Sequence, residues 1–150
     1  MKRADKAVEK FVGGYNCSQA VLSAYCDLYG IDELTAFKLA EGFGLGMGGN
    51  KKDECGAVTG MFMVLGLENS DGEMGKGTSK QSTYAKVKEC GEAFKEELGT
   101  FMCGELLRKE RDMKAAATPE ELAASNGKNL ICIKCVEAAA KLLDEKLGEK

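Results

Sequence analysis

Apolar residues in this chain recur at three- and four-residue steps between helix-starting and helix-stopping residues, and no segment alternates apolar with polar in the Val-, Ile- and Thr-rich manner of a strand. That regularity confines the fold to packed helices. Lys2 to Val12 reads as an amphipathic helix ended by Gly13-Gly14. Asn16 with Gln19 three positions on has the spacing of a capping box, and the helix it opens, Cys17 to Tyr29, stops at Gly30. Asp32 caps a third helix, about Glu33 to Phe43. After the glycine-rich GFGLGMGG and the polar NKKDE, Asp53 is the expected cap of a fourth helix, Glu54 to Leu67. That helix is apolar on nearly all its inner turns and is therefore expected at the centre. Asn69 to Gly77 reads as a loop. Thr78 with Gln81 signals a long helix to Leu98, carrying Tyr84, Val87, Gly91, Phe94 and Leu98 on one face and closed by Gly99. A short helix is expected from Cys103 to about Lys109. Thr118-Pro119-Glu120-Glu121 opens another, and the last runs from Leu130 to Leu147. The expected fold is an all-α, single-domain bundle over residues 1–150, with about six to seven helices.

Charge and composition exclude several function classes. A net charge of −3, with basic and acidic residues interleaved, offers no footprint for nucleic acid. The longest weakly polar run, Gly56 to Leu67, is too short for membrane insertion, and MKRADKAVEKF lacks the apolar stretch of a secretion signal, so a cytoplasmic location is expected. The chain has seven cysteines and no histidine. An odd, high cysteine number without an export signal argues against a secreted disulfide scaffold. The missing histidine removes Cys–His and Ser–His catalysis and every zinc site that needs an imidazole.

The helix map sorts the cysteines. Cys17, Cys55, Cys103 and Cys132 each fall in the expected first turn of a helix, where free N–H groups and the macrodipole favour a thiolate. The thiolate is the form that attacks disulfides and binds metals. Four such thiols on four helices could converge. Cys26, nine residues after Cys17, points to the opposite face, and Cys90 sits beside the Val87–Phe94 stripe. Both read as small buried hydrophobes. Cys132 and Cys135 form a C-x-x-C that puts both sulfurs on one helix face, with Cys135 as an auxiliary thiol. Gly44-Leu45-Gly46-Met47-Gly48-Gly49 fits G-x-G-x-x-G, but it follows a helix rather than a strand. It reads as a tight loop whose glycines let the backbone approach the Cys55 helix. Met47, Met61, Met63 and Met102 read as core filler.

Cys55-Gly56-Ala57-Val58-Thr59-Gly60 fits CGAxxG, with an earlier cysteine in Asn16-Cys17-Ser18-Gln19-Ala20-Val21 and later ones in MCGELL and CIKCVEAAAKLL. From about Phe11 to Leu143 the chain resembles the C_GCAxxG_C_C family, described as redox-active. The resemblance puts the family cysteines on Cys17, Cys55, Cys103 and Cys132, with Cys135 close enough to compete for the last place. It leaves Cys26 and Cys90 as additions. Related domains are joined to haem-binding segments in split-Soret-type cytochromes, where an iron–sulfur site has been suspected; this chain lacks such a segment.

Three readings follow. In the first, Cys17, Cys55, Cys103 and Cys132 are metal ligands holding zinc or an iron–sulfur cluster for electron transfer or redox sensing. In the second, the chain is a metal-free thiol–disulfide oxidoreductase. Cys55 is then the nucleophile and Cys17 the resolving thiol, with Cys103 and Cys132 as a second pair and Lys51 or Lys52 supporting the thiolate. In the third, the cysteines are inert and the protein is structural. The expected partners are a redox partner protein or a small thiol or disulfide, and a homo-oligomer is allowed.

Overall fold

The computed structural model describes residues 2–148, which contain nine α-helices and no strand. They are α1 (Arg3–Val12), α2 (Cys17–Tyr25), α3 (Glu33–Ala40), α4 (Gly56–Asn69), α5 (Lys80–Leu98), α6 (Cys103–Leu107), α7 (Glu110–Ala116), α8 (Pro119–Ala124) and α9 (Leu130–Leu147). Among the described residues, no helix is long and apolar enough to cross a membrane.

The all-α architecture expected from the sequence is the one observed. Two complete capping boxes form, Asn16 with Gln19 and Thr118 with Glu121. Asp32 accepts from the Thr35 N–H, as a cap should. The expected second and third helices each end in a 3-10 turn, Cys26–Tyr29 and Glu41–Phe43.

Four expectations need correction, and nine α-helices stand among the described residues where about six to seven are expected. Asp53 does not cap α4, whose N-cap is Cys55. Residues 53–55 are instead drawn into a short antiparallel contact with residues 101–103, where Glu54 bridges Met102. Thr78 does not cap α5 either. The helix starts at Lys80, and Ser79 turns its hydroxyl to Asp71. On α5 the buried face is Cys90, Gly91, Phe94 and Leu98, while Tyr84 is 52% exposed. Helix α7 was not expected: none of its residues is buried, so it carries no apolar stripe to read.

Helices α2 and α4 form the centre. Every residue of α2 is buried, and α4 buries eight residues, from Gly56 to Leu65. Glycine sets their separation. A Cβ on Gly60 would lie 2.8 Å from the Ser18 carbonyl oxygen and 3.0 Å from Val21 Cβ, so any side chain there would force the helices apart. Helix α1 buries Ala4, Ala7 and Phe11 at helical spacing and packs on α2 and α9. Helix α9 closes the core over α1, α2, α4 and α5. The Tyr25 hydroxyl faces the Ala140 carbonyl at 2.8 Å and Asp144 at 2.7 Å, which fixes α2 to α9.

Candidate functional site

Four helix starts meet at one end of this core. Cys17 is the first residue of α2, Cys55 the N-cap of α4, Cys103 the first residue of α6, and Cys132 the third residue of α9. Backbone hydrogen bonds hold two of them together. The Cys55 N–H donates to Phe101 O (2.7 Å) and the Cys103 N–H to Asp53 O (2.9 Å). The spacing of these two thiols is therefore set by main chain rather than by side-chain packing.

The glycine-rich loop lies over the site. Gly46, at φ +69°, passes so close that a Cβ would sit 2.8 Å from Cys103 Cβ. Leu45, Met47 and Lys51 are left-handed at φ 51°, 68° and 63°, a conformation that is unfavourable for residues with a Cβ. The loop thus makes the close approach expected of it, although to the Cys103 helix as well as to α2 and α4. No strand precedes it, which removes the context a dinucleotide fingerprint requires.

Cys17, Cys55, Cys103, Cys132 and Cys135 line a cavity of ≈ 20 Å³, enclosed by Leu45, Gly56, Leu106 and Leu107. This is about the room one water needs. All five thiols are free; Cys132 is half-buried and the other four are buried.

Their proton affinities diverge. The Cys55 thiol is held well below its ordinary value because Cys135 and Cys17 hydrogen-bond to it, which outweighs burial. The first-turn N–H groups of Ala57 and Val58 add to this, although neither forms a regular capping bond to the sulfur. Cys132 is also lowered, chiefly by Cys17, against burial and the Cys55 charge. Cys17 is raised, first by its hydrogen bond with Cys132 and then by that with Cys55. Cys135 is raised by its bond to Cys55 and by burial. Cys103 takes no part in these bonds; burial, with the Cys55 and Cys132 charges, pushes it up to about 11. The couplings among the thiols therefore link Cys132 with Cys17, Cys17 with Cys55 and Cys55 with Cys135, while Cys103 is affected through burial and charge.

The cavity brings together the four first-turn cysteines and adds Cys135, which the sequence suggested only as an auxiliary. Cys26 and Cys90 lie outside it: the Cys26 thiol donates to Ser23 O at 3.4 Å, and Cys90 is buried on α5. Lys51 opposes the rise at Cys103, and Lys52 is exposed. Sequence reasoning missed Glu110. Its carboxylate accepts from the Leu130 N–H (2.9 Å) and the Ile131 N–H (2.8 Å), capping α9 from α7, and its charge raises Cys132. No local pattern announces a cap supplied from twenty residues away. Among the described residues, no group of three or more cysteine or carboxylate side chains is arranged to hold a metal ion.

A family model described as "Putative redox-active protein (C_GCAxxG_C_C)" matches residues 15–146. No curated protein and no solved structure matches the chain.

Proposed function

The chain belongs to the C_GCAxxG_C_C family of redox-active proteins, and from that premise we propose that its redox chemistry resides in the cysteine sulfurs themselves, as a thiol–disulfide centre with Cys55 as the attacking thiolate. The observation that carries this reading is the gathering of Cys17, Cys55 and Cys135 around one small cavity. Both neighbours lower the Cys55 thiol, and either can resolve it.

The Cys55 thiolate attacks a small disulfide, RSSR′. One sulfur–sulfur bond forms, one breaks, and R′S⁻ leaves to take a proton from solvent. Cys17 then loses its proton and attacks the Cys55 sulfur, releasing RS⁻ and leaving a Cys17–Cys55 disulfide. Two protein thiols are oxidised and one disulfide is reduced. Cys135 is equally placed to resolve Cys55. The contact between Cys17 and half-buried Cys132 supplies a path by which a thiol of a partner re-reduces the centre.

The test is oxygen-free protein treated with hydroxyethyl disulfide and mapped by mass spectrometry. The expected result is an internal disulfide at Cys55, with a mixed disulfide trapped there when Cys17 and Cys135 are both replaced by serine. Unreactive thiols in the folded protein would instead favour a structural role.

The all-sulfur donor set favours a second reading, in which Cys17, Cys55, Cys103 and Cys132 hold zinc or an iron–sulfur cluster. The donor chemistry fits such a centre. The room does not fit a cluster: ≈ 20 Å³ is about one water's worth, so the helix starts would have to part. Metal analysis with a visible absorption spectrum separates the two readings. Iron with sulfide-to-iron bands, or stoichiometric zinc, would displace the thiol reading.

A further inference from the structure

The walls of the cysteine cavity limit the size of what can reach Cys55. Nine residues line it, and eight of them are buried or half-buried. Leu45 alone is exposed, at 39%. It touches the cavity and meets solvent at once, and so stands between the thiols and the outside.

The loop fixes Leu45 there from both sides. A Cβ on Gly44 would fall 2.3 Å from Asn16 Nδ2, and one on Gly46 would fall 2.8 Å from Cys103 Cβ. The loop backbone is thus pressed onto the starts of α2 and α6. The Lys51 N–H donates to the Leu45 carbonyl (2.9 Å) and closes the turn. Leu45 itself is left-handed at φ 51°, where glycine would sit without strain. Of the three left-handed side chains in this loop, only that of Leu45 lines the cavity. A leucine kept on a backbone suited to glycine points to a use for its side chain.

The cavity of ≈ 20 Å³ has room for about one water-sized molecule. Hydrogen peroxide is one oxygen atom larger than water and carries no substituent. An organic hydroperoxide presents the same oxygen–oxygen bond with a carbon group attached, and a dialkyl disulfide brings two sulfurs with a carbon group on each. Both must push a wall aside before they reach the Cys55 sulfur, which lies on a residue only 5% exposed.

We infer that the cysteine cavity selects hydrogen peroxide over larger oxidants, with the Leu45 side chain setting the size limit. This selection rests on the reading of Cys55 as the attacking thiolate and names the oxidant that meets it fastest; disulfides follow more slowly. The Cys55 thiolate attacks one peroxide oxygen. A sulfur–oxygen bond forms, the oxygen–oxygen bond breaks, and the leaving hydroxide takes the proton of the Cys17 thiol to become water. The Cys17 thiolate then attacks the sulfur of the Cys55 sulfenic acid. A sulfur–sulfur bond forms and hydroxide leaves to solvent. Two thiols are oxidised to one disulfide, and one peroxide is reduced.

The test measures oxidation of Cys55 in the reduced full chain by hydrogen peroxide and by tert-butyl hydroperoxide. Acid-quenched samples are read by mass spectrometry, and N-acetylcysteine supplies the same two rates for a free thiol. The chain is expected to favour hydrogen peroxide at least about tenfold more than the free thiol does, with a Cys17–Cys55 disulfide as product. Leu45→Ala, with its melting temperature verified, should lower that preference about tenfold, toward the free thiol's. Leu122→Ala trims a leucine of similar exposure, 38%, that does not line the cavity, and should keep the parent preference. A preference equal to the free thiol's overturns the size selection, and so does one that Leu45→Ala leaves where it was. Hydroxyethyl disulfide separates the two ways to fail. If it oxidises Cys55 while the peroxides show no preference, the size selection alone falls; if no oxidant modifies Cys55, the thiolate reading falls with it.

Discussion

Helices α4 and α9 each deliver a thiol to the same cavity from their N-terminal ends, and they treat it differently. At α4 the N–H groups of Ala57 and Val58 add to the lowering of Cys55 that its neighbours Cys135 and Cys17 begin. At α9 the first two N–H groups are already taken by Glu110, whose charge also opposes a thiolate at Cys132. Both helices have the same dipole, and a dipole alone would lower both thiols alike. Both thiols are lowered chiefly by a neighbouring thiol, and what separates the two helix starts is the smaller contribution, backbone N–H groups that help at Cys55 and a carboxylate charge that opposes at Cys132.

The largest effect that tests this contrast is on exchange. Cys55→Ser is expected to lower the rate of thiol–disulfide exchange by about a hundredfold or more, and Cys132→Ser by about tenfold. Equal losses in a stopped-flow assay would erase the distinction between the two helix starts. Next comes the packing that seats Cys55 beside Cys17. Gly60→Val should destabilise the fold by about 3 kcal/mol in urea unfolding, because its side chain meets Ser18 O and Val21.

Removing the carboxylate at α9 has two expected outcomes. Glu110→Ala leaves the Leu130 and Ile131 N–H groups without their cap, at a cost of about 1–2 kcal/mol. It also moves the alkylation midpoint of Cys132 to lower pH, because a charge that raised the thiol is gone. A midpoint that rises would contradict the contrast directly.

A smaller effect concerns Cys103. Its thiol stands at about 11 in the folded protein against an ordinary 9.0. The folded state keeps a proton that the unfolded state gives up. This contribution to stability is complete below about pH 9 and is lost as the pH rises through about 11. Melting temperature should therefore fall between about pH 8.5 and pH 10.5, and less steeply in Cys103→Ala. The smallest effect belongs to the cysteines outside the cluster. Cys90→Ala should cost about 1 kcal/mol or less and leave exchange unchanged.

Much of the fold was legible because its signals are local. Asn16 with Gln19, and Thr118 with Glu121, are written within four residues, and both boxes form. The cysteines at helix starts were legible for the same reason. What escaped was set by partners distant in sequence. Asp53 looks like a cap until residues 101–103 pair with its segment. Helix α7 has no fully buried residue and so no stripe, yet it supplies Glu110. The C-x-x-C spacing put Cys135 on the same face as Cys132, but its contact with Cys55 depends on how α9 crosses α4, which no spacing encodes.

The cluster draws its thiols from the whole length of the chain, Cys17 near one end and Cys132 and Cys135 near the other. During synthesis, α2 and α4 can pair, through Gly56 and Gly60, long before α9 leaves the ribosome. Until then Cys17 and Cys55 lie side by side without the helix that closes over them. A nascent chain in that state presents an open dithiol. In the finished protein α9, which emerges well after α2 and α4, has closed over it, and half-buried Cys132 is left as the most exposed thiol of the cluster.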